Sequence, residues 1–534
     1  MSTIRSLAGL VLAFSTISST LALSSWYTAP GSDSPAGSVA GDKIRGVNLG
    51  GWFVLENWMQ PSLFSVSPLD QYQVPDEWTY TYLLPRNESI PRLHSHWSSW
   101  IVEDDFKRMA DYGLNTVRIP VGYWMWNKTS DEPFVGYGDT DQNGTAPQLE
   151  YLEQALFWSS MYGMDVIMDM HGAVGSQSGQ DNSGRKGNVE FGWNTTTVDR
   201  TLDALGQMVA FASQEKFNGV VKAYELLNEP YIQAYNSGGM TWDTLAAYLV
   251  SGYSVVRSNE HIVSGNNESM IIIHDCFQPL SNWDYFFTNY AGDWTNYGID
   301  THLYQAFNDF PNLSDVEHLQ STCAQQSSLV ASQKKLPTMV GEFSLGTQTY
   351  CVDYKSCVGL TMNDVITGMS RSNSFQREFW EAQRNVFELT AGWIFWNWKT
   401  ELAPTWSYEN AVAQEWIPVD PTEVLYTFTE GATDCLNIWD PISGDQNIPD
   451  FATTAVPIAN GTSKPRQIFA AASAASSPSS LTTSMPTSMV ASSTGTASTA
   501  NASASKTSGC RAVNGATCIT GLMVAIATLL AVLA

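Results

Sequence analysis

Residues 221–230 read VKAYELLNEP and residues 337–344 read PTMVGEFS, two short apolar runs that each close on a glutamate, Glu229 and Glu342. Similar runs rich in Val and Ile begin near Ile44 (IRGVNLG), Thr116 (TVRIP), Asp165 (DVIMDMHG), Met270 (MIIIHD), Tyr297 (YGIDTHLY) and Gly392 (GWIFWNW). Such runs are strand signals, and the segments between them are mostly long enough for a helix, as at 103–112 and 149–162. Eight strands alternating with helices in one unbroken domain predict a parallel sheet closed into a single (β/α)8 barrel of the α/β class. An open doubly wound sheet is the alternative, but no GxGxxG follows the first strand. Polar groups gather at the ends of the runs: Asn48, Arg118, His171, Asn228-Glu229, His274-Asp275, His302 to Tyr304, Glu342 and Trp396. In a TIM barrel the C-terminal strand ends form the active face, so this placement predicts one site at the mouth.

Glu229 would end the fourth strand and Glu342 the seventh, on opposite sides of the mouth. Glycoside hydrolysis needs two such carboxyls, about 5–5.5 Å apart for retention and about 6.5–9.5 Å apart for inversion. The sequence does not supply that distance. Taken alone, Asn228-Glu229-Pro230 also reads as a turn that starts a helix, with Pro at the first helical position.

Composition narrows the partners. The chain has 534 residues, 43% of them hydrophobic, and its 20 Trp, 22 Tyr and 22 Phe offer flat apolar faces on which sugar rings stack. A formal net charge of −26 argues against nucleic acid or anionic lipid as a ligand, which would need clustered Lys and Arg. Arg5, the apolar stretch 7–23 and the small residues around Ala22 and Ser24 predict a signal peptide over 1–23. Export agrees with glycosylation sequons at Asn87, Asn127, Asn143, Asn194, Asn267, Asn312, Asn460 and Asn501. The catalytic domain is expected over 24–469. Residues 470–508 are Ser, Thr, Ala and Pro with Lys506 the only charge, a composition too polar to order itself and suited to an O-glycosylated stalk. The tail 509–534 ends in an apolar run from Ile519, preceded by small residues at 501–503 and 508–509, the pattern of a GPI-attachment signal. A short transmembrane anchor is the competing reading. Seven Cys include Cys510 and Cys518 in that tail, which leaves Cys276, Cys323, Cys351, Cys357 and Cys435, an odd number.

RGVNLGGWFVLENW (45–58), HWSSWIVEDDF (96–106), RIPVGYW (118–124), DMHGAVGSQSGQDNSG (169–184), LLNEP, HLYQAF (302–307), VGEFS and GWIFWNWKTE (392–401) together resemble the fungal exo-β-1,3-glucanases of glycoside hydrolase family 5. The resemblance spans about 400 residues. It implies a retaining mechanism with Glu229 as acid/base and Glu342 as nucleophile. It also implies that Asn228 binds the 2-hydroxyl, that Arg118 and Tyr304 flank Glu342, and that His171 and His302 line the glucose pocket. Glu56, Asp181 and Asn182 would grip the terminal glucose, Trp396 would form its stacking floor, and Phe307 would be half of an entrance clamp. Gln180 stands where relatives carry an aromatic. Cys323–Cys435 and Cys351–Cys357 would be the disulfides, with Cys276 free. No metal or cofactor is implied, and the expected partner of the monomer is a β-glucan.

Other readings remain open at this stage. His171, His274 and His302 near strand ends raise a metallohydrolase barrel, although that class places a His-X-His on its first strand and His94-Ser95-His96 lies in a helix entry here. A transglycosylase, a β-1,6-glucanase, a β-glucosidase acting on a glucosylated lipid or small aglycone, and a non-catalytic wall-binding protein share much of the same pattern.

Overall fold

The computed structural model describes residues 43–425, apart from 66–72, 140–144, 188, 218, 233–239, 265–268, 350, 352–356 and 358. The signal, stalk and tail expectations lie outside these residues, as do Cys435 and the sequons at Asn143, Asn267, Asn460 and Asn501.

Eight strands close a barrel in chain order: β1 (Ile44–Asn48), β2 (Thr116–Gly122), β3 (Asp165–Gly172), β4 (Val221–Glu225), β5 (Met270–His274), β6 (Tyr297–His302), β7 (Thr338–Glu342) and β8 (Gly392–Phe395). Every neighbouring pair is parallel, including the closing pair β1–β8. The two helices expected from the sequence appear as Glu103–Asp111 and Gln148–Tyr162.

Strand side chains alternate between faces, so residues two apart share a face. Along the inner face the chemistry is layered. Ile44, Ile167, Ala223, Met270, Ile272, Met339 and Ile394 form a small apolar cluster of their own, separate from the main core. Two residues further along their strands stand Asp169 and Glu225, with His274 two residues past Ile272 and all three buried. Register then sets neighbours: Asn48 lies beside Arg118, and His302 beside Glu342 after a bulge at Thr301/His302. The polar site therefore stands on an apolar plug, which keeps its charges away from water from below.

Three expectations need correction. Arg118 is the third residue of the seven-residue β2, not its end; its long side chain reaches the mouth from within the wall. Asn228-Glu229-Pro230 starts no helix. Glu229 instead holds a left-handed φ of +40°, which costs a non-glycine residue roughly 1–2 kcal/mol. Neighbouring bonds hold it there: Asn228 N–H to the Met170 carbonyl, Tyr231 N–H to the Gln177 carbonyl, and Gln177 Nε2 to the Asn228 carbonyl. His94 and His96 lie inside the helix Arg86–Trp100 rather than at its entry, and His96 Nε2 is 2.8 Å from the Gly51 carbonyl.

The segment 62–97, inserted after β1, covers the loop that follows β3. Trp78 N–H bonds the Gly184 carbonyl at 2.9 Å, Asp76 Oδ2 accepts from Lys186 N–H at 2.6 Å, and the Arg185 guanidinium lies 4.5 Å from the Trp78 ring centre. Asp105 ties helix Glu103–Asp111 to the loop after β8. It is fully buried and accepts from Val102 N–H, Trp398 Nε1 and Lys399 Nζ, each at 2.9 Å.

Burial alone would push the Asp105 carboxyl up, but Lys399 and these bonds outweigh it and hold the group below its ordinary value. Its contribution is therefore present above the ordinary carboxylate range and lost on acidification. Asp105→Ala strands Lys399 and is expected to cost about 3 kcal/mol of unfolding free energy in urea at pH 7. A loss below about 1 kcal/mol would show that the pair is not anchoring this loop.

Candidate active site

Arg118 is completely buried at the centre of the mouth. Its Nε donates to Glu225 Oε2 at 2.7 Å, and its Nη1 to Glu342 Oε1 at 2.9 Å and Asn48 Oδ1 at 3.0 Å. Nη2 donates to Asn228 Oδ1 at 2.9 Å and lies 3.1 Å from Asp169 Oδ2. One guanidinium on β2 thus orders groups from β1, β3, β4 and β7. Burial works against the cation, yet the three carboxylates outweigh it and hold Arg118 firmly charged.

Glu342 closes β7 and accepts from Arg118 and, at 2.8 Å, from the Tyr304 hydroxyl. Glu229 stands across from it, its Oε1 2.6 Å from His302 Nδ1 and its Oε2 accepting from Asn182 Nδ2 at 2.7 Å. The same His302 Nδ1 is 3.4 Å from Glu342 Oε2. Both carboxylates touch one nitrogen, so these two oxygens are separated by at most the sum of those distances, about 6 Å.

Burial would raise the Glu229 carboxyl, but the His302 and Asn182 bonds prevail and hold it below its ordinary value. For Glu342, burial prevails over the His302 and Arg118 cations and the carboxyl is raised, with the Glu229 charge adding to the rise. The two carboxyls and the imidazole are thus one coupled titrating system.

The remaining predicted residues surround this pair. His171 Nδ1 is 2.6 Å from Asp169 Oδ2, and its ring stacks on Trp396 with centres 5.6 Å apart and planes 11° apart. Glu56 accepts from Trp58 Nε1 at 2.8 Å. Burial pushes the Glu56 carboxyl up strongly, and Asp181 nearby adds to the rise. Asp181 is also raised by burial, against the pull of Lys186. Asn182 is placed on Glu229 rather than facing only the pocket, a contact its motif did not reveal. Phe307 is 40% exposed and meets the Tyr304 ring edge-on at 5.9 Å. Gln180 is exposed. Cys351 and Cys357 are disulfide-bonded, Cys276 is free and buried, and Cys323 is disulfide-bonded, with Cys435 outside the described residues.

Sequence reasoning passed over a deeper layer of buried acids: Asp169, Glu225 and Asp300. Their signal was inner-face spacing, two residues before His171, two after Ala223 and two before His302. It also passed over Trp406, which packs on Tyr304 with ring centres 5.1 Å apart and on Phe307 at 5.9 Å.

Two residue sets bring ligand-capable atoms within 4.8 Å of one another: Glu229, His274 and His302, and Glu225, Asp300 and His302. Both share His302. Two atoms bound to one zinc ion at about 2.1 Å in tetrahedral geometry lie roughly 3.4 Å apart. The 2.6 Å between His302 Nδ1 and Glu229 Oε1 is instead the length of a hydrogen bond.

Residues 84–401 match the sequence profile of the cellulase family, glycosyl hydrolase family 5. The chain belongs to glycoside hydrolase family 5. This family 5 chain is 33% identical over 404 residues to a probable glucan 1,3-β-glucosidase A of Aspergillus niger, covering 72% of this chain and 89% of that one. It is 36% identical over 399 residues to a glucan 1,3-β-glucosidase of Candida oleophila, covering 71% and 89%. Among solved structures, a rutinosidase from Aspergillus niger superposes with a TM-score of 0.54 at 19% identity, covering 70% of this chain and 97% of that one, which supports the shared barrel. The protein is a glycosidase of the family 5 type.

Arg118→Lys tests the central fork. A point charge cannot reproduce five fixed donors, so Glu342 and Asn228 lose their shared anchor. Turnover is expected to fall at least about 100-fold with near-ultraviolet circular dichroism unchanged. Turnover within a few-fold of the parent would show that charge alone suffices.

Proposed function

We propose that this chain is a retaining exo-β-1,3-glucosidase that releases glucose from the non-reducing ends of cell-wall β-glucan. The observation that carries this reading is the separation of Glu229 and Glu342. Oxygens at most about 6 Å apart lie below the roughly 6.5–9.5 Å spacing of inverting enzymes and support direct attack on the anomeric carbon. The named activity of the relatives supports the glucan substrate.

Position and bonding support the division of roles. Glu342 is the less exposed, with 5% of its side chain accessible against 13% for Glu229, and two direct donors, Arg118 and Tyr304, favour its charged form. It forms the bond to the anomeric carbon as the glycosidic bond breaks. Glu229, nearer the opening, gives its proton to the departing oxygen and later takes one from the incoming water. The lowered Glu229 and raised Glu342 run opposite to the charges that the first step needs. The 2.6 Å bond from His302 bridges that difference: moving one proton from Nδ1 to Oε1 makes Glu229 the acid without changing net charge.

Asn228 Oδ1 is taken by Arg118, which leaves its amide N–H groups to donate to the sugar 2-hydroxyl. Trp396, stacked on His171, supplies the floor. Glu56, Asp181 and Asn182 bind the terminal glucose, and the clamped loop carrying Asp181 supports a closed pocket and attack from chain ends. Phe307 offers a face to the leaving sugar. Outside 43–425, a signal peptide at 1–23, a stalk at 470–508 and a GPI-attachment tail at 509–534 place the enzyme at the cell surface, where it acts as a monomer. The catalytic domain extends over 24–469.

Products from laminarin and laminari-oligosaccharides, followed by proton NMR, test this directly. Single β-glucose released first is the expected result. Initial α-glucose would overturn retention, and longer oligosaccharides would shift the reading to transglycosylation or internal cleavage. Glu342→Gln is expected to abolish turnover of every substrate. Glu229→Gln should abolish laminarin hydrolysis yet keep the first step on activated aryl β-glucosides, which need no acid.

A further inference from the structure

Beneath the proposed acid/base lies a buried carboxylate that no role above uses. Asp300 sits on β6, two residues before His302, with no exposed surface. Its Oδ1 accepts the Gly341 N–H at 2.6 Å, and its Oδ2 faces His302 Nε2 at 3.5 Å. Gly341 directly precedes Glu342, and a Cβ at that position would fall inside the Asp300 carboxylate. The chain therefore keeps a glycine beside the nucleophile in the space an acid occupies.

We propose that Asp300 is a positioning residue for the acid/base: it fixes His302 as the charged donor to Glu229 and so sets the pH range over which Glu229 exchanges its proton. The proposal rests on the role given to Glu229 above. His302 has a carboxylate on each side, Glu229 at Nδ1 and Asp300 at Nε2. A neutral imidazole carries a proton on only one nitrogen and would turn a lone pair toward one of them. The imidazolium satisfies both.

The surrounding groups leave this task to Asp300. From β4, Glu225 is raised to about 8, chiefly by burial, and its Oε2 is already held by Arg118 Nε at 2.7 Å. From β5, burial holds His274 neutral, well below its ordinary value. Asp275 is raised to about 7 by burial and already accepts from Thr301 Oγ1 and Phe277 N–H. From β2, Arg118 is committed to Glu225, Glu342 and Asp169. From β3, Asp169 is engaged by Arg118 and by His171, which also faces Glu229. From β7, Glu342 lies on the Nδ1 side, with Tyr304 on its far oxygen. Burial alone would push His302 down, but Glu342 and Asp300 outweigh it and hold the ring charged well above its ordinary range.

The effect of removing the Asp300 charge has a definite sign. Taking an anion from a coupled cluster makes every proton on it easier to lose, wherever the proton rests. Asp300→Asn keeps the side-chain size and the oxygen that accepts from Gly341, and replaces the charged oxygen facing His302 with a neutral amide nitrogen. The basic limb of kcat/KM on laminaribiose is expected to move to lower pH by about one unit or more. A merely structural role would lower kcat/KM at every pH and leave the limb in place.

The second measurement follows the His302 ring nitrogens by NMR in the 15N-histidine-labelled full chain, assigned by loss of the signal in His302→Asn. His302 is expected to be doubly protonated at pH 7 in the parent, with a midpoint lowered in parallel in Asp300→Asn. A neutral His302 at pH 7 in the parent overturns the proposal even if the variant fails to fold. So does a variant whose limb and midpoint stay within about 0.3 units of the parent's. If the parent fails to hydrolyse laminaribiose, the functional reading fails, and the nitrogen titration still decides the role of Asp300.

Discussion

A guanidinium with no access to water sits at the centre of the barrel mouth, and the rest of the site is arranged to keep it there. Taking Arg118 out of water costs several kcal/mol, offset only by well-placed partners on its donors. Glu225, Glu342, Asn48, Asn228 and Asp169 meet that demand from four strands and the segment after β4. Once the fork is satisfied, the reactive groups have little positional freedom left. Glu342 is aimed by Nη1, and Asn228 is turned so that its amide nitrogen lies 3.5 Å from His171 Nε2. The same bonds that make the cation tolerable thus orient the chemistry.

His302 plays the matching part on the other side. Its Nδ1 touches both Glu229 and Glu342, so it keeps two carboxylates close that would otherwise repel. The strained backbone at Glu229 fits this picture. A left-handed residue is retained because Met170 and Gln177 pin its neighbours, and the result is a side chain turned back over the mouth. Strain of this kind persists where surrounding bonds over-determine the conformation.

Packing extends the same order outward. The insertion before helix Glu103–Asp111 braces the loop carrying Asp181 and Asn182, and Asn182 in turn holds Glu229. Trp58, Trp396 and Trp406 belong to a separate apolar cluster that includes the Cys351–Cys357 disulfide. That cluster gives one side of the mouth an aromatic wall. The heavy aromatic content is therefore divided between the barrel–helix core and the walls of the mouth.

The barrel itself was legible in the residue pattern. Eight short apolar runs, each followed by polar residues, admit few folds other than a closed parallel barrel, and their starting points agree with the strands to within a residue. Glu229 and Glu342 could be named for the same reason: strand ends in such a barrel converge on one face. Three-dimensional packing alone decided how close they stand, because that distance depends on strand tilt, a bulge at His302 and a shared imidazole. It also decided that Arg118 reaches the mouth from mid-strand and that Asn182 serves Glu229. The buried acids Asp169, Glu225 and Asp300 became meaningful only once the inner face was known. Linear order records which residues share a strand face, but contacts at the mouth join residues from 38 to 224 positions apart, and only closure of the sheet brings those together.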